Sequence, residues 1–274
     1  MQLHERTAAI GDTEIFYREA GTGSPLLLLH GFGHSSTAWL RTMPILSAHH
    51  KTLAPDLPGY GRSSIVLAPY DPPYFATFVI DFLERLELSG VDVVGNSLGG
   101  LISLLAALEQ PDLFRKIVLV DPAGFTKGPI PPLDDALLAL MGFWLSLPRS
   151  RALIRAGYAS GFFDAGHVDE ESVTEIVARS THPEALQVSS RTLHEMFHFS
   201  RHLDRFHARL ASLKPSTLVV WGQKDPVLPA KDANTARRVL PAPRIEVLER
   251  CGHLPHIELP TTFSSLVLNF LDAA

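Results

Sequence analysis

Short, almost wholly apolar runs alternate with longer amphipathic ones along this chain, and that rhythm predicts its architecture. Four consecutive leucines in Pro25-Leu26-Leu27-Leu28-Leu29 fit a strand buried on both faces, as in a parallel sheet sandwiched between helices. Less uniform runs at Lys51–Pro55, Val91–Val94, Lys116–Val120, Thr217–Trp221 and Arg244–Leu248 predict five more strands. Two extended segments, Leu3–Ile10 and Glu14–Glu19, flank Gly11-Asp12 and predict a hairpin. Helical spacing links Trp39, Met43 and Leu46 behind a Ser35 or Ser36 cap, and Phe75, Phe78, Val79, Phe82 and Leu86 within Tyr74–Glu87. Helices are also predicted over Leu101–Glu109, stopped by Pro111, over Lys231–Leu240 and over Thr261–Leu271. Strands alternating with helices give an α/β fold: a mostly parallel, doubly wound, eight-stranded sheet, because right-handed crossovers place helices on both faces.

The alternation breaks between about Ala123 and His207. Pro129, Pro131 and Pro132 open this region, and helix-like segments follow without strands at Asp134–Leu147, Val168–Arg179 and Pro183–His198. The expected organisation is a core in two parts, 1–122 and 208–274, with a helical cap over 123–207 at the C-terminal edge of the sheet. Phe143, Trp144, Leu147, Tyr158, Phe162, Phe163, Met196, Phe197 and Phe199 lie in the cap. Most are expected to pack, and some to face the crevice beneath.

Composition narrows the function. A chain of 274 residues, 46% hydrophobic and 19% charged, suits one soluble domain with a large core. The net charge of −5 comes without a basic run, so neither nucleic acid nor an anionic membrane surface is an expected partner. The N-terminus MQLHERTAAIGD carries charges where a signal peptide needs its apolar segment, and no run of eighteen apolar residues occurs. Cys251 is the one cysteine, which excludes an internal disulfide and agrees with a reducing cytoplasm. There is no G-x-G-x-x-G after the first strand and no P-loop, so no organic cofactor is required. A cytoplasmic monomer or homodimer acting on a small molecule is the expectation.

Chemistry concentrates after the strands. Gly95-Asn96-Ser97-Leu98-Gly99 fits G-x-S-x-G between a predicted strand and a predicted helix, the context of a nucleophile elbow. Ser97 would stand on a strained turn at a helix N-terminus, where developing negative charge is favoured; a plain βα turn with a capping serine is the bland alternative. A serine hydroxyl is a weak nucleophile, so it needs a base, and the base an orienting acid. The loop after Thr217–Trp221 offers Asp225, and the loop after Arg244–Leu248 offers His253. Asp121 also ends a strand and stays open as the acid, although Asp121-Pro122 suits a simple turn. His256 follows His253 closely, His30 suits a structural role, and Cys251 and Trp221 read as packing residues.

Five motifs in this order resemble the α/β-hydrolase fold superfamily across essentially the whole chain. They are His30-Gly31-Phe32-Gly33, Asp56-Leu57-Pro58-Gly59-Tyr60-Gly61-Arg62-Ser63, the elbow, WGQKDPVLP and CGHLPHIE. The resemblance implies that Ser97 attacks a carbonyl, that His253 takes and returns the proton, and that Asp225 fixes the imidazole. It implies an oxyanion hole from the backbone N–H groups of Phe32 and Leu98, each such donor being worth roughly 2.7–4 kcal/mol of barrier. Ser97 stands where the superfamily's dehalogenases and epoxide hydrolases carry aspartate, so alkyl-enzyme chemistry is not expected.

The default reaction is hydrolysis of small to medium acyl or aromatic carboxylic esters. Meta-cleavage-product hydrolases, which split carbon–carbon bonds, resemble the chain at Gly95-Asn96-Ser97, but their histidine is usually followed by tryptophan, whereas Leu254 follows His253 here. They also use a cap arginine, for which Arg179 and Arg191 are candidates. His194-Glu195-Met196-Phe197-His198 spells H-E-x-x-H, with His202 continuing an i, i+4, i+8 series, so a zinc hydrolase is a competing reading. Arg201 and Asp204 stand where the longer form of that motif needs glycine and histidine. No metal is expected at the serine site. A non-catalytic hydrolase-like receptor is the alternative from another class, and the presence of all three triad members speaks against it.

Overall fold

The computed structural model describes residues 2–125 and 150–273; the predicted helix Asp134–Leu147, the prolines at 129, 131 and 132, and Phe143, Trp144 and Leu147 lie outside them. Eight strands form one sheet: β1 (His4–Ile10), β2 (Thr13–Ala20), β3 (Pro25–Leu29), β4 (Lys51–Pro55), β5 (Val91–Asn96), β6 (Phe114–Val120), β7 (Ser216–Gly222) and β8 (Arg244–Leu248). Their order is β1-β2-β4-β3-β5-β6-β7-β8. The β1–β2 and β2–β4 pairs are antiparallel and the remainder parallel. The predicted hairpin turn is present, with Gly11 at φ +55°, a conformation that costs glycine little.

Side chains alternate across each strand, and both faces of the central sheet are covered. Leu27 and Leu29 of β3 join a cluster with Phe75, Phe82 and Leu101, whereas Leu26 and Leu28 join one with Trp39, Phe263 and Val267. Burial on both faces explains why these strands read as continuous apolar runs.

The predicted helix behind Ser35 is instead two short pieces, a 3-10 turn over Ser36–Trp39 and α1 (Met43–Leu46). Ser35 caps the first piece by accepting from the Thr37 N–H. Pro44 has no N–H with which to bond back to Leu40, so the ladder must restart. α2 (Pro72–Arg85) begins before the predicted Tyr74 because Asp71 accepts from the Tyr74 N–H and two prolines occupy the first turn. α3 runs over Leu98–Glu109, three residues ahead of the prediction.

Between β6 and β7 lie α4 (Arg151–Ala159), α5 (Glu170–Ser180), α6 (Pro183–Ser200) and α7 (Leu203–Leu210). The sequence pattern predicted α5 and α6 but neither α4 nor α7. α4 buries a single residue, Ile154, while α7 buries Leu203, Phe206 and Leu210 on one face. The chain closes with α8 (Ala233–Val239), α9 (Pro255–Glu258) and α10 (Pro260–Asp272). Among the described residues no helix is long and apolar enough to cross a membrane.

Candidate active site

The turn from β5 to α3 is as tight as its glycines suggest. Ser97 sits at φ +53°, ψ −113°, a conformation that side-chain-bearing residues rarely adopt and that clusters at functional sites. The turn is held by Ser97 N–H donating to Val120 O at 2.9 Å and by Ala123 N–H donating to Ser97 O at 3.1 Å. A Cβ on Gly95 would lie under 3.0 Å from the Gly99 backbone, and one on Gly99 under 3.0 Å from Leu29 O. Strand and helix therefore approach to a distance that only glycine permits, and α3 starts directly at Leu98.

Asp225 and His253 come together as the sequence anticipated. His253 Nδ1 lies 2.7 Å from Asp225 Oδ2, and Asp225 Oδ1 accepts from the N–H groups of Val227 at 2.7 Å and Leu228 at 2.9 Å. Three bonds on one carboxylate fix its plane, so the imidazole it meets has one orientation. Asn96, next to Ser97, donates to Val120 O at 3.1 Å and to His253 O at 3.2 Å. The elbow and the histidine loop are thereby tied directly.

The loop His30–Gly33 lies against the elbow. A Cβ on Gly31 would fall 3.2 Å from Ser97 Cβ and 2.9 Å from Asn96 Oδ1. Among the described residues, neither the Phe32 nor the Leu98 N–H donates to a protein acceptor. His30 is a structural residue. Its Nε2 accepts from the Leu57 N–H at 3.0 Å, which leaves the proton on Nδ1, 2.9 Å from Gly31 O. Burial pushes its pKa down to about 4, so it stays neutral.

The Asp56–Ser63 motif is a brace. Asp56 accepts from the N–H groups of Ser36 and Arg62, each at 2.7 Å, while Ser63 Oγ donates to Asp56 O at 2.7 Å and accepts from Phe16 N–H at 3.0 Å. Trp221 is buried, with its indole N–H donating to Leu228 O at 2.8 Å, so it holds the Asp225 loop. Cys251 is buried, and burial pushes its thiol pKa well up. His256 turns into the core, its ring 4.3 Å from that of Trp39, and neither ring nitrogen has a partner. Burial drives its pKa well below the ordinary value.

One residue at this site escaped the sequence reading. Glu258 accepts from the Gly252 N–H at 2.7 Å through Oε1, and from the N–H groups of Phe163 at 2.9 Å and Asp164 at 3.3 Å through Oε2. His253 N–H itself donates to Gly161 O at 2.8 Å. Gly161–Asp164 belongs to the helical region between β6 and β7, so that region is bonded to the histidine loop at three points. The available signal was a lone acid inside the apolar stretch HLPHIELP: a buried carboxylate must be paired.

Asp121, Asp225 and His253 each offer a ligand atom within 4.8 Å of the others, the one such three-residue group among the described residues. Asp121 Oδ1 accepts from the Gly222 N–H at 2.8 Å, and its Oδ2 is the oxygen of the two carboxylates without a partner. On α6, His194 Nε2 and His198 Nε2 are 3.2 Å apart, and Glu195 pairs with Arg191 at 3.2 Å. The expected third member, His202, does not continue the series, because α6 ends at Ser200 and His202 precedes a new helix. Arg191 is exposed. Arg179 is half-buried, donating to Gly59 O and Gly61 O with its guanidinium 5.2 Å above the Tyr60 ring. It lies with Gly33, His34 and Glu175 around a shallow surface dimple.

The fold and these loops define a hydrolase of the doubly wound α/β type. The chain belongs to the alpha/beta hydrolase family, whose model matches residues 26–266. It is 30% identical over 282 residues to 2-hydroxy-6-oxo-2,4-heptadienoate hydrolase of Pseudomonas putida, covering 98% of this chain and 96% of that one. It is 29% identical over 281 residues to Lipase 1 of Psychrobacter immobilis, covering 94% and 80%. Among solved structures, 2-hydroxy-6-oxo-6-phenylhexa-2,4-dienoate hydrolase from Rhodococcus sp. strain RHA1 superposes with a TM-score of 0.86 at 23% identity, covering 99% of both chains. That likeness is one of fold.

Proposed function

We propose that this protein is a serine hydrolase that cleaves carboxylic esters of small to medium acyl or aromatic groups, with residues 123–207 forming the cap over its site. The observation that carries the reading is the 2.7 Å bond between His253 and Asp225, tied through Asn96 to a serine held at φ +53°. Ser97 Oγ attacks the ester carbonyl as His253 accepts its proton, and Asp225 stabilises the imidazolium. The N–H groups of Phe32 and Leu98 receive the oxyanion. Collapse expels the alcohol, which takes the proton from His253. Water, activated by the same imidazole, then releases the acid and restores Ser97.

The test is the initial rate on 4-nitrophenyl acetate, butyrate and octanoate beside Ser97→Ala. Rates that vanish in the folded variant support the mechanism, and the chain-length profile sizes the pocket. No rate on any ester from folded wild-type protein overturns the ester reading.

Carbon–carbon hydrolysis of ring-fission dienoates is the second reading. It is favoured by near full-length similarity to the Pseudomonas putida hydrolase and by the half-buried Arg179, a cation able to meet a substrate carboxylate. Leu254 counts against it, because it is buried and packs with Phe162 and Ile257 where the resemblance calls for tryptophan. Parallel assays of dienoates and esters separate the two.

A further inference from the structure

The triad acid has a second carboxyl beside it. Asp121 follows β6, is 0% exposed and sits at φ +43°, a strained conformation for a residue with a side chain. Its N–H donates to Val220 O at 2.9 Å, and its Oδ1 accepts from the N–H of Gly222, the last residue of β7. Its remaining oxygen has no partner, and its carboxyl lies within 4.8 Å of the facing groups of both Asp225 and His253. A plain Asp-Pro turn explains none of this, since its carboxylate would face solvent.

We propose that Asp121 is a positioning residue of the catalytic centre: a second carboxyl held against Asp225 that steadies the triad acid and takes over support of His253 when Asp225 is replaced. The proposal rests on the serine-hydrolase reading. Two carboxyls buried this close cannot both ionise, so the pair shares one proton. Burial and the charge of Asp225 raise the Asp121 pKa well above its ordinary value. The other titratable groups facing the pair are His253, Cys251 and Glu258. Asp225 already accepts from Val227, Leu228 and His253 and keeps one lone pair on Oδ2, so it is Asp121 that holds the proton and offers it to that lone pair, with Oδ2 as its carrier. Replacing Asp225 by asparagine removes the neighbouring charge. Asp121 then ionises and supplies the carboxylate that the imidazolium needs.

The test is a double-mutant cycle on the 4-nitrophenyl ester that wild type turns over best, with Ser97→Ala as reference and thermal melts of every variant. Asp225→Asn is expected to retain at least about tenfold more kcat/KM than Asp225→Asn/Asp121→Asn, with Asp121→Asn costing much less in the wild-type background. Equal factors in both backgrounds, the signature of a merely structural residue, would overturn the proposal. If the double variant does not fold, the far-downfield proton resonance of His253 Nδ1–H decides in Asp225→Asn alone. Its persistence requires another carboxylate on the ring, and its loss overturns the proposal. Turnover surviving in Ser97→Ala would instead defeat the serine reading and the proposal together, whereas additivity with an inactive Ser97→Ala defeats the proposal only.

Discussion

At the elbow, β5 and α3 leave no room for a methyl group on Gly99, whereas α4, in the helical region between β6 and β7, buries Ile154 alone. The two regions are thus built by different rules. The sheet edge is packed backbone against backbone, so its geometry has one solution. The helices between β6 and β7 bury less per turn: Ala185, Val188 and Thr192 of α6 and Ser172 and Val173 of α5, with Leu203, Phe206 and Leu210 of α7 the larger exception. The bonds at Glu258 tie the region to the histidine loop. On the proposed reading, chemistry belongs to the part that cannot adjust, and substrate choice to the part that can.

Substitutions that test this contrast differ in size. The largest effect is expected from Ser97→Ala, with kcat falling by about 10⁶-fold and the melting temperature unchanged; comparable loss is expected from His253→Ala. Single-turnover rates with melts beside them check both. Glu258→Gln comes next. The amide can still accept from Gly252, but its NH₂ then faces the donors of Phe163 and Asp164, so the histidine loop should shift and kcat should drop by about 10²-fold. An unchanged kcat there would break the claim that the helical region is wired to the base.

Arg179→Ala addresses the adjustable side. On a substrate bearing a carboxylate it should raise KM by about tenfold, and on neutral esters by clearly less. Equal effects on both classes would make Arg179 only a brace for Gly59 and Gly61. The smallest expected effect is on stability. His256 stays neutral in the fold at pH values where the unfolded chain binds a proton, so stability falls as pH drops below its ordinary 6.5. His256→Phe should therefore raise the melting temperature at every pH, by about 1–3 kcal/mol of stability for the unpaired ring nitrogens, and more at acid than at neutral pH. Chelators should leave ester hydrolysis unchanged; loss restored by added zinc would reopen the His194–His198 reading.

The sheet was legible because strands buried on two faces carry their whole signal in consecutive residues, as Leu26–Leu29 do. The elbow was legible because its two glycines are dictated by sterics. Other elements hid for equally physical reasons. The start of α3 was misplaced because Gly99-Gly100 reads as a break, whereas the turn at Ser97 delivers the chain directly into the helix. α4 carries almost no buried face, so periodicity had nothing to register. α7 had a signal, with Leu203, Phe206 and Leu210 at helical spacing, but charged neighbours masked it. Asp225 and His253 were visible from their places after strands. Asp121 was weighed as a rival to Asp225, and the geometry places it as that residue's neighbour. Glu258 could be found only by asking what a charge does inside an apolar run.

The bond from His253 N–H to Gly161 O makes one amide a reporter. Any opening that lifts Gly161 away exposes that N–H to solvent, where it trades its proton for deuterium. Its exchange rate, followed with and without a bound inhibitor, counts the separations of the Gly161 segment from His253 and so tests directly whether that segment acts as a cover.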